Sequence, residues 1–424
     1  MGHRKSLIAL VVVGLAVVML LTFVPYSLTL VKSAGQHAVA TLRAELPGEQ
    51  APHPPSPSGP PPASPPLDVS VWYVTRGEEP ERHGVLIETL DSRQTLASHN
   101  ADTAFNPASL VKLAMSLAAL RRFGKDHRFE TRVYADGEID KQKMLHGNLY
   151  LVGSDPTFGD VAASLIARTL RGRGIERVRD KILVSPGLSF NYNESAEDSA
   201  AHLARVMNLK QKETGVTAEP AGRLQFALAS YPLREVLLYM NAHSSNFVAE
   251  RLGEHFGGAT GLEKFLEEEL KLPAEQVSIK RVSGRESNRL TPRGVLAVLR
   301  ALHDEAARQG LRLEDIMPIA CDDAGTLRRR FAGTPLEGAV IGKTGTLTSE
   351  VDGGMASLAG LISTEQTGPI LFALLDQGNH ISENRELQDQ LLTEVVAHHG
   401  VPLACLSEPR KLLPSSELKV MKAE

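Results

Sequence analysis

From Thr103 to Leu120 the only charged residue is Lys112. Leu110, Val111, Leu113, Met115, Leu117 and Leu120 surround it, which puts apolar side chains on every face of a helix. Such a helix is stable only where other elements cover it on all sides, so it must lie at the centre of a sizeable domain. The spacing predicts it over 108–123, with Asn106 as N-cap, Pro107 in the first turn and Gly124 as the stop. Burial disfavours the charged form of a lone lysine, which lowers its pKa and frees a basic amine. Ser109 lies one turn earlier on the same face, where the helix dipole favours developing negative charge. A hydroxyl beside an amine base fits an activated nucleophile; a snorkelling lysine and a capping-region serine fit the same pattern.

The chain has the length such a core needs. Of its 424 residues, the 358 after Pro66 correspond to about two domains, or to one domain with a large insertion. A formal charge of −4 and only 5% aromatic residues exclude a basic, aromatic-lined nucleic-acid surface. Two cysteines, Cys321 and Cys405, exclude a disulfide-built scaffold and form neither a zinc pattern nor a CxxC motif. A Cys321–Cys405 pair and two buried thiols both fit. The histidines include no HExxH, so no metal site is expected.

The N-terminus bears on the compartment. His3, Arg4 and Lys5 precede a charge-free run from Ser6 to Val31. That run is longer than the ~7–15 apolar residues of a signal-peptide core and long enough for the ~20 of a membrane span. Residues 1–31 are therefore expected to be an anchor, with a long cleaved signal peptide as the alternative. Either way the globular part is expected outside the cytoplasm, on the periplasmic side; in the anchor reading it is tethered to the inner membrane. Residues 32–68 are expected to be a linker, since Leu46 to Leu67 holds 10 of the 25 prolines and favours polyproline II.

Strands are expected at 85–90 and in TLASH, then the apolar helix, then an inserted subdomain over 126–230 with strand-like runs and one helix at 160–171. Helices follow at Pro232 to His243, Phe247 to Phe256 and Pro292 to Gln309, the last capped by Thr291. GAVIGKTGTL (338–347), MASLAGLIS (355–363) and PILFALLD (369–376) read as an antiparallel meander, and Glu383 to His399 as a final helix. The expected fold class is α+β (mixed α/β): an antiparallel sheet covered by helices. Its main domain is assigned to 69–125 and 231–400, with a tail at 401–424. Arg328, Arg329 and Arg330 read as a solvated face, Asp322 and Asp323 as a loop, and Asn193-Glu194-Ser195 matches a glycosylation sequon.

Ser-x-x-Lys alone says little, since Ser416 to Lys419 forms a second copy. Order and placement add specificity. Ser109-Leu-Val-Lys112 opens the buried helix, Ser244-Ser245-Asn246 follows a helix, and Lys343-Thr344-Gly345 lies on a predicted strand. Together they are the three-motif set of serine penicillin-binding proteins and class A β-lactamases. FNPASLVKL (105–113), GNLYLVGSDPTF (147–158), HSSNFVAE (243–250), NRLTPR (288–293), AGTLRRR (324–330) and GKTGTL (342–347) run in one order. Through them the chain resembles the D-alanyl-D-alanine carboxypeptidase/endopeptidase family, the class C low-molecular-mass penicillin-binding proteins. Three features depart from that family: the stretch between Lys112 and Ser244 is short, GSDPT lacks a glycine, and RVSGRESNR (281–289) stands in place of Asp-Gly-Ser-Gly-Leu-Ser-Arg.

The resemblance implies a penicillin-binding-protein/β-lactamase-like transpeptidase fold and a set of roles. Ser109 attacks the penultimate D-alanine carbonyl and Lys112 takes its proton. Ser244 relays a proton to the leaving amine. Asn246 orients the substrate. Lys343 supplies positive charge near the terminal carboxylate, which the Thr344 and Thr346 hydroxyls hydrogen-bond. The N–H groups of Ser109 and Thr346 form the oxyanion hole. The implied partners are peptidoglycan stem peptides, with β-lactams as inhibitors; no cofactor, metal or nucleic acid is implied. A β-lactamase-like hydrolase and a catalytically quiet peptidoglycan-binding module are the alternatives.

Overall fold

The computed structural model describes residues 66–405 and 410–422. The expected anchor, and the expected linker up to residue 65, lie outside the described residues. Among the described residues no helix is long and apolar enough to cross a membrane. Leu67 already belongs to the fold: its N–H donates to Leu96 O. Asp68 caps a short helix, α1 (Val69–Val74), that the sequence pattern had not suggested. Tyr73 on α1 stacks on His83 at 3.7 Å, and its hydroxyl donates to the buried Asp376.

Strands β1 (His83–Thr89) and β2 (Thr95–His99) form the expected hairpin. A 3-10 turn, Ala108–Leu110, then leads into α2 (Val111–Phe123). The expected cap is shifted. Asn106 Oδ1 accepts from Ala108 N, but Ala108 takes a positive φ of 49°, so regular helix begins only at Val111. Val111 through Leu120 are all buried, as an all-round apolar helix requires.

The insertion holds β3 (Glu130–Ala135), β4 (Glu138–Ile139), β5 (Met144–His146), β6 (Leu149–Gly153), α3 (Asp160–Gly172), β7 (Arg177–Val178), β8 (Lys181–Val184), α4 (Ala196–Met207), β9 (Glu213–Val216) and β10 (Arg223–Ala229). It contains two helices where one was expected. Ser195, read as part of a sequon, is the N-cap of α4, its side chain accepting from Asp198 N. The chain continues through α5 (Leu233–His243), α6 (Asn246–Glu254), α7 (Gly258–Leu270) and α8 (Pro292–Arg308). Thr291 caps α8 by accepting from Gly294 N. The polar α7, with only Leu262 and Leu266 buried, had no sequence signal strong enough to name it. The meander follows as β11 (Val340–Leu347), β12 (Met355–Thr364) and β13 (Gly368–Gln377), then α9 (Ile381–Ala397) and β14 (Lys419–Lys422).

The main sheet is five-stranded, ordered β11-β12-β13-β1-β2, and antiparallel at every pairing. Its alternating side chains feed two cores. Ile341, Ala359, Leu371 and Ala373 join the core that contains α2 and α8; Val340, Leu358, Phe372 and Leu374 join the one that contains α1 and α9. The insertion builds a six-stranded mixed sheet, β14-β10-β3-β6-β8-β9, and a small sheet, β4-β5-β7. The segment 401–424, expected as a tail, supplies β14, pairing Lys419 with Ala229 and Lys422 with Phe226. It also sends Arg410 to the buried Asp323. Arg330, expected in solvent, is 7% exposed and pairs with Asp389 of α9. A run of three arginines therefore holds one structural member. Cys321 and Cys405 are free thiols.

Candidate active site

The site lies where α2 begins, against the outer edge of β11. Gly345 makes that approach possible: a Cβ there would meet Ser357 Oγ at 2.1 Å and Ala108 Cβ and Pro107 O at 2.9 Å. Gly284 does the same from the other side, since its φ is +85° and a Cβ would fall 2.1 Å from Ala108 O. Two non-glycine residues next to reactive groups, Ala108 and Ser244, adopt left-handed backbone with φ of 49° and 52°. Such strain persists only where the surroundings over-determine it.

Lys112 is 0% exposed. Its Nζ donates to Ser109 Oγ at 2.9 Å, to Asn246 Oδ1 at 2.9 Å and to the Ser283 carbonyl. Burial therefore does not leave the amine snorkelling; it gathers nucleophile, amide and carbonyl around one nitrogen. Desolvation is the largest cause acting on this amine and pulls its pKa to about 7, opposed by the Glu250 carboxylate and assisted by Arg285.

Ser244 and Asn246 sit at a tight corner. Ser244 ends α5 in a left-handed turn, Ser245 caps α6 by accepting from Val248 N, and Asn246 is the first residue of α6. With Asn246 Oδ1 occupied by Lys112, its amide N–H groups are the ones left for a ligand. Lys343 is also 0% exposed. Its Nζ donates to Ser244 Oγ at 2.9 Å and to Thr344 O at 2.6 Å. Burial, with Lys112 as the second cause, holds its pKa well below the ordinary lysine value. In this structure the amine is turned to Ser244 and the Thr344 carbonyl.

The β11 edge supplies N–H groups. Gly342 N donates to Pro318 O and Ala320 N to Val340 O, which shows that even-numbered residues of β11 address the outer edge. Thr346 N–H therefore points outward, beyond the stretch that residues 318–320 cover. Ser109 N–H makes no hydrogen bond among the described residues. The Thr344 hydroxyl donates to Thr326 Oγ1 at 2.7 Å, and the Thr346 hydroxyl accepts from Arg385 at 2.7 Å.

Sequence reasoning missed four neighbours. Ser283 offers its carbonyl to Lys112 and Ser109. Glu250 Oε1 holds Ser283 N at 2.9 Å. Thr326 anchors Thr344, and Arg385 reaches Thr346 from α9. Glu250 and Thr326 lie inside stretches that carried the resemblance; Arg385 had no signal at all.

A family model for the D-Ala-D-Ala carboxypeptidase 3 (S13) family matches residues 73–189 and 187–396. The chain belongs to this S13 family. The chain is 28% identical over 182 residues, an alignment that covers 39% of this chain, to the penicillin-sensitive carboxypeptidase A of Dictyostelium discoideum. It spans about a third of the length of that curated relative. Its fold is that of the Bd3459 predatory endopeptidase from Bdellovibrio bacteriovorus, with a TM-score of 0.70 at 20% identity over 80% of this chain and 99% of that one. Penicillin-binding protein 4 from Haemophilus influenzae shares it at a TM-score of 0.60 and 17% identity, covering 73% of this chain and 96% of that one. The S13 domain thus has the penicillin-binding-protein/β-lactamase-like fold.

Proposed function

We propose that this chain is an exported serine peptidase that cleaves D-Ala-D-Ala-type bonds of peptidoglycan stem peptides through an acyl-enzyme on Ser109. One observation carries the reading: a buried amine with a pKa of about 7, 2.9 Å from a hydroxyl at a strained helix start. A general base works best when its pKa lies near the working pH.

In this reading neutral Lys112 takes the Ser109 proton as Oγ attacks the penultimate D-alanine carbonyl. The oxyanion forms between the Ser109 and Thr346 N–H groups. As the tetrahedral species collapses, Ser244, held in place by Lys343 at 2.9 Å, passes its proton to the departing D-amino acid and regains one from Lys112, which returns Lys112 to the free base. Asn246 presents its amide N–H groups to the acyl-side peptide. Water, deprotonated by Lys112, then hydrolyses the ester. No step requires a cofactor. Family membership and the described penicillin G acylation of Bd3459 support β-lactams as inhibitors.

The test is intact-mass spectrometry with peptide mapping after exposure to labelled penicillin. A covalent adduct is expected on Ser109 and absent in Ser109→Ala. Lys112→Ala should slow its formation about 10²–10⁴-fold. Ser416→Ala should change nothing, because Ser416 lies in a separate turn and Lys419 on β14. No adduct on the folded wild-type chain, across several β-lactam classes, overturns the proposal.

A further inference from the structure

Residues 410–422 follow the stretch that the S13 family model matches, which ends at 396. They include the second Ser-x-x-Lys copy, Ser416 to Lys419, which the site does not use. Both ends of this segment are tied down, each to a different part of the molecule. At the near end the Arg410 guanidinium closes on Asp323, with Nε 3.1 Å from Oδ1. It also donates to the carbonyls of Glu314 and, at 3.2 Å, Met317. Asp323 is 1% exposed, and a buried carboxylate needs such a partner. The same carboxylate accepts from Ile319 N at 2.8 Å. Ile319 in turn bridges Ile341, in the segment that pairs with the outer edge of β11. One carboxylate therefore separates Arg410 from the edge of the strand that carries Lys343.

At the far end Glu417 meets Arg128. Arg128 Nη2 donates to Glu417 Oε2 at 2.7 Å, and Nη1 donates to the Glu417 and Ser230 carbonyls. Arg128 and Ser230 lie on the two connections by which the chain enters and leaves the insertion. These run side by side: Ser230 N donates to Phe129 O and Leu233 N to His127 O, both at 2.8 Å. Two short connections crossing at one place form a hinge. Beyond Glu417, β14 adds itself to β10 in the insertion's own sheet. The insertion is also a wall of the site. Its Tyr192 stacks on Tyr239 of α5 at 5.9 Å and meets Phe247, the residue after Asn246, edge-on at 5.7 Å. Tyr192 is 41% exposed, so these ring contacts leave part of the wall's position to the hinge.

We infer that residues 410–422 are a strap that sets the insertion against the catalytic corner, with Arg410 and Glu417 as positioning residues at its two ends. The strap fixes the gap between Tyr192 and Asn246, where the serine-peptidase reading above puts the acyl-side peptide. The inference rests on that reading and adds to it a determinant of how well a long substrate is held. A loosened wall populates the binding-competent position only part of the time, and apparent affinity falls by that fraction.

The experiment measures KM and kcat on a stem pentapeptide ending in D-Ala-D-Ala, the acylation rate by benzylpenicillin, and hydrogen exchange at the Ser230 and Leu233 N–H groups, all in the full chain. Glu417→Ala and Arg410→Ala should each raise KM for the pentapeptide about 3–10-fold, with kcat and the acylation rate within about twofold of wild type. Exchange at the two N–H groups should quicken in both. Because both ends act through one strap, the double variant should raise KM by less than the product of the two single effects. Arg410→Lys, which keeps a charge on Asp323, should recover most of the loss. Glu417 is the half-exposed end, so Glu417→Ala serves where Arg410→Ala leaves Asp323 unpaired and the chain unstable. Ser416→Ala should change nothing. Unchanged KM and unchanged exchange in Glu417→Ala overturn the inference, as do equal losses on pentapeptide and penicillin or single effects that multiply in full. A wild-type chain that cleaves no peptide and forms no penicillin adduct overturns the serine-peptidase reading instead, and the exchange measurement then decides the strap by itself.

Discussion

The strongest quantitative consequence concerns Lys112 and pH. The amine is pulled from 10.5 to about 7 by desolvation. With a midpoint there, the neutral fraction is about 0.1 at pH 6, about 0.5 at pH 7 and about 0.9 at pH 8. The rate constant kcat/KM should therefore rise about tenfold from pH 6 to 8 and then level off. A lysine at its ordinary value would behave differently: the rate would climb about tenfold per pH unit up to about pH 10. At pH 7 the depressed pKa raises the population of free base by about three orders of magnitude, part of which the lower basicity of the amine offsets.

The causes of the shift give two perturbations with opposite signs. Arg285 lowers the Lys112 pKa and Glu250 raises it. Removing the cation with Arg285→Ala should move the acid limb to higher pH. Removing the carboxylate with Glu250→Gln should move it to lower pH, while the glutamine oxygen can still accept from Ser283 N. Arg285 is exposed, so its effect should be the smaller of the two and should shrink with added salt. Because Lys112 also acts on Lys343, the limb is a property of the coupled pair. The assay is kcat/KM for a D-Ala-D-Ala peptide from pH 5 to 10, or the acylation rate by penicillin. Shifts of the same sign in both variants, or a limb with no plateau by about pH 9, would refute the assignment of Lys112 as the base.

Two further predictions test the frame around the site. Gly345→Ala places a Cβ 2.1 Å from Ser357 Oγ and 2.9 Å from Pro107 O, so β11 must move away from the nucleophile's turn; a displacement near 1 Å should cost about 10²-fold in kcat/KM, and unchanged kinetics would show that this contact does not set the site. The anchor expected over residues 1–31 is tested by fractionation: if it is one, the full chain should sediment with membranes and a chain beginning at Pro66, which keeps the Leu67–Leu96 hydrogen bond, should stay in the soluble fraction with equal activity. Full-length chain in the soluble fraction would remove the anchor from the account.

The parts of this molecule that were legible in the sequence share one property: their signals are local. The central helix showed in its lack of charge, α8 in its Thr291-Pro292 start, and the meander in its apolar runs between turns. The three motifs showed in their order along the chain. The residues that escaped notice depend on contacts between distant positions. The Ser283 carbonyl comes to Lys112 across 171 residues, and nothing local in RVSGRESNR announces that its backbone holds a lysine. β14 was read as part of a polar tail because only Val420 and Met421 of Lys419–Lys422 are apolar and lysines flank them; it is a strand because β10 offers it an open edge. Arg330 was read as solvated for the same reason, since the sequence gives its charge but not the Asp389 that makes burial tolerable. Lys343 and Arg385 complete the argument. Both lie near one strand, yet in this structure the Lys343 amine is buried and turned to the Ser244 hydroxyl while Arg385 stands at the rim against the Thr346 hydroxyl. Charge type is written in the sequence, but what a charge does depends on which of its hydrogen-bond donors the fold has already used.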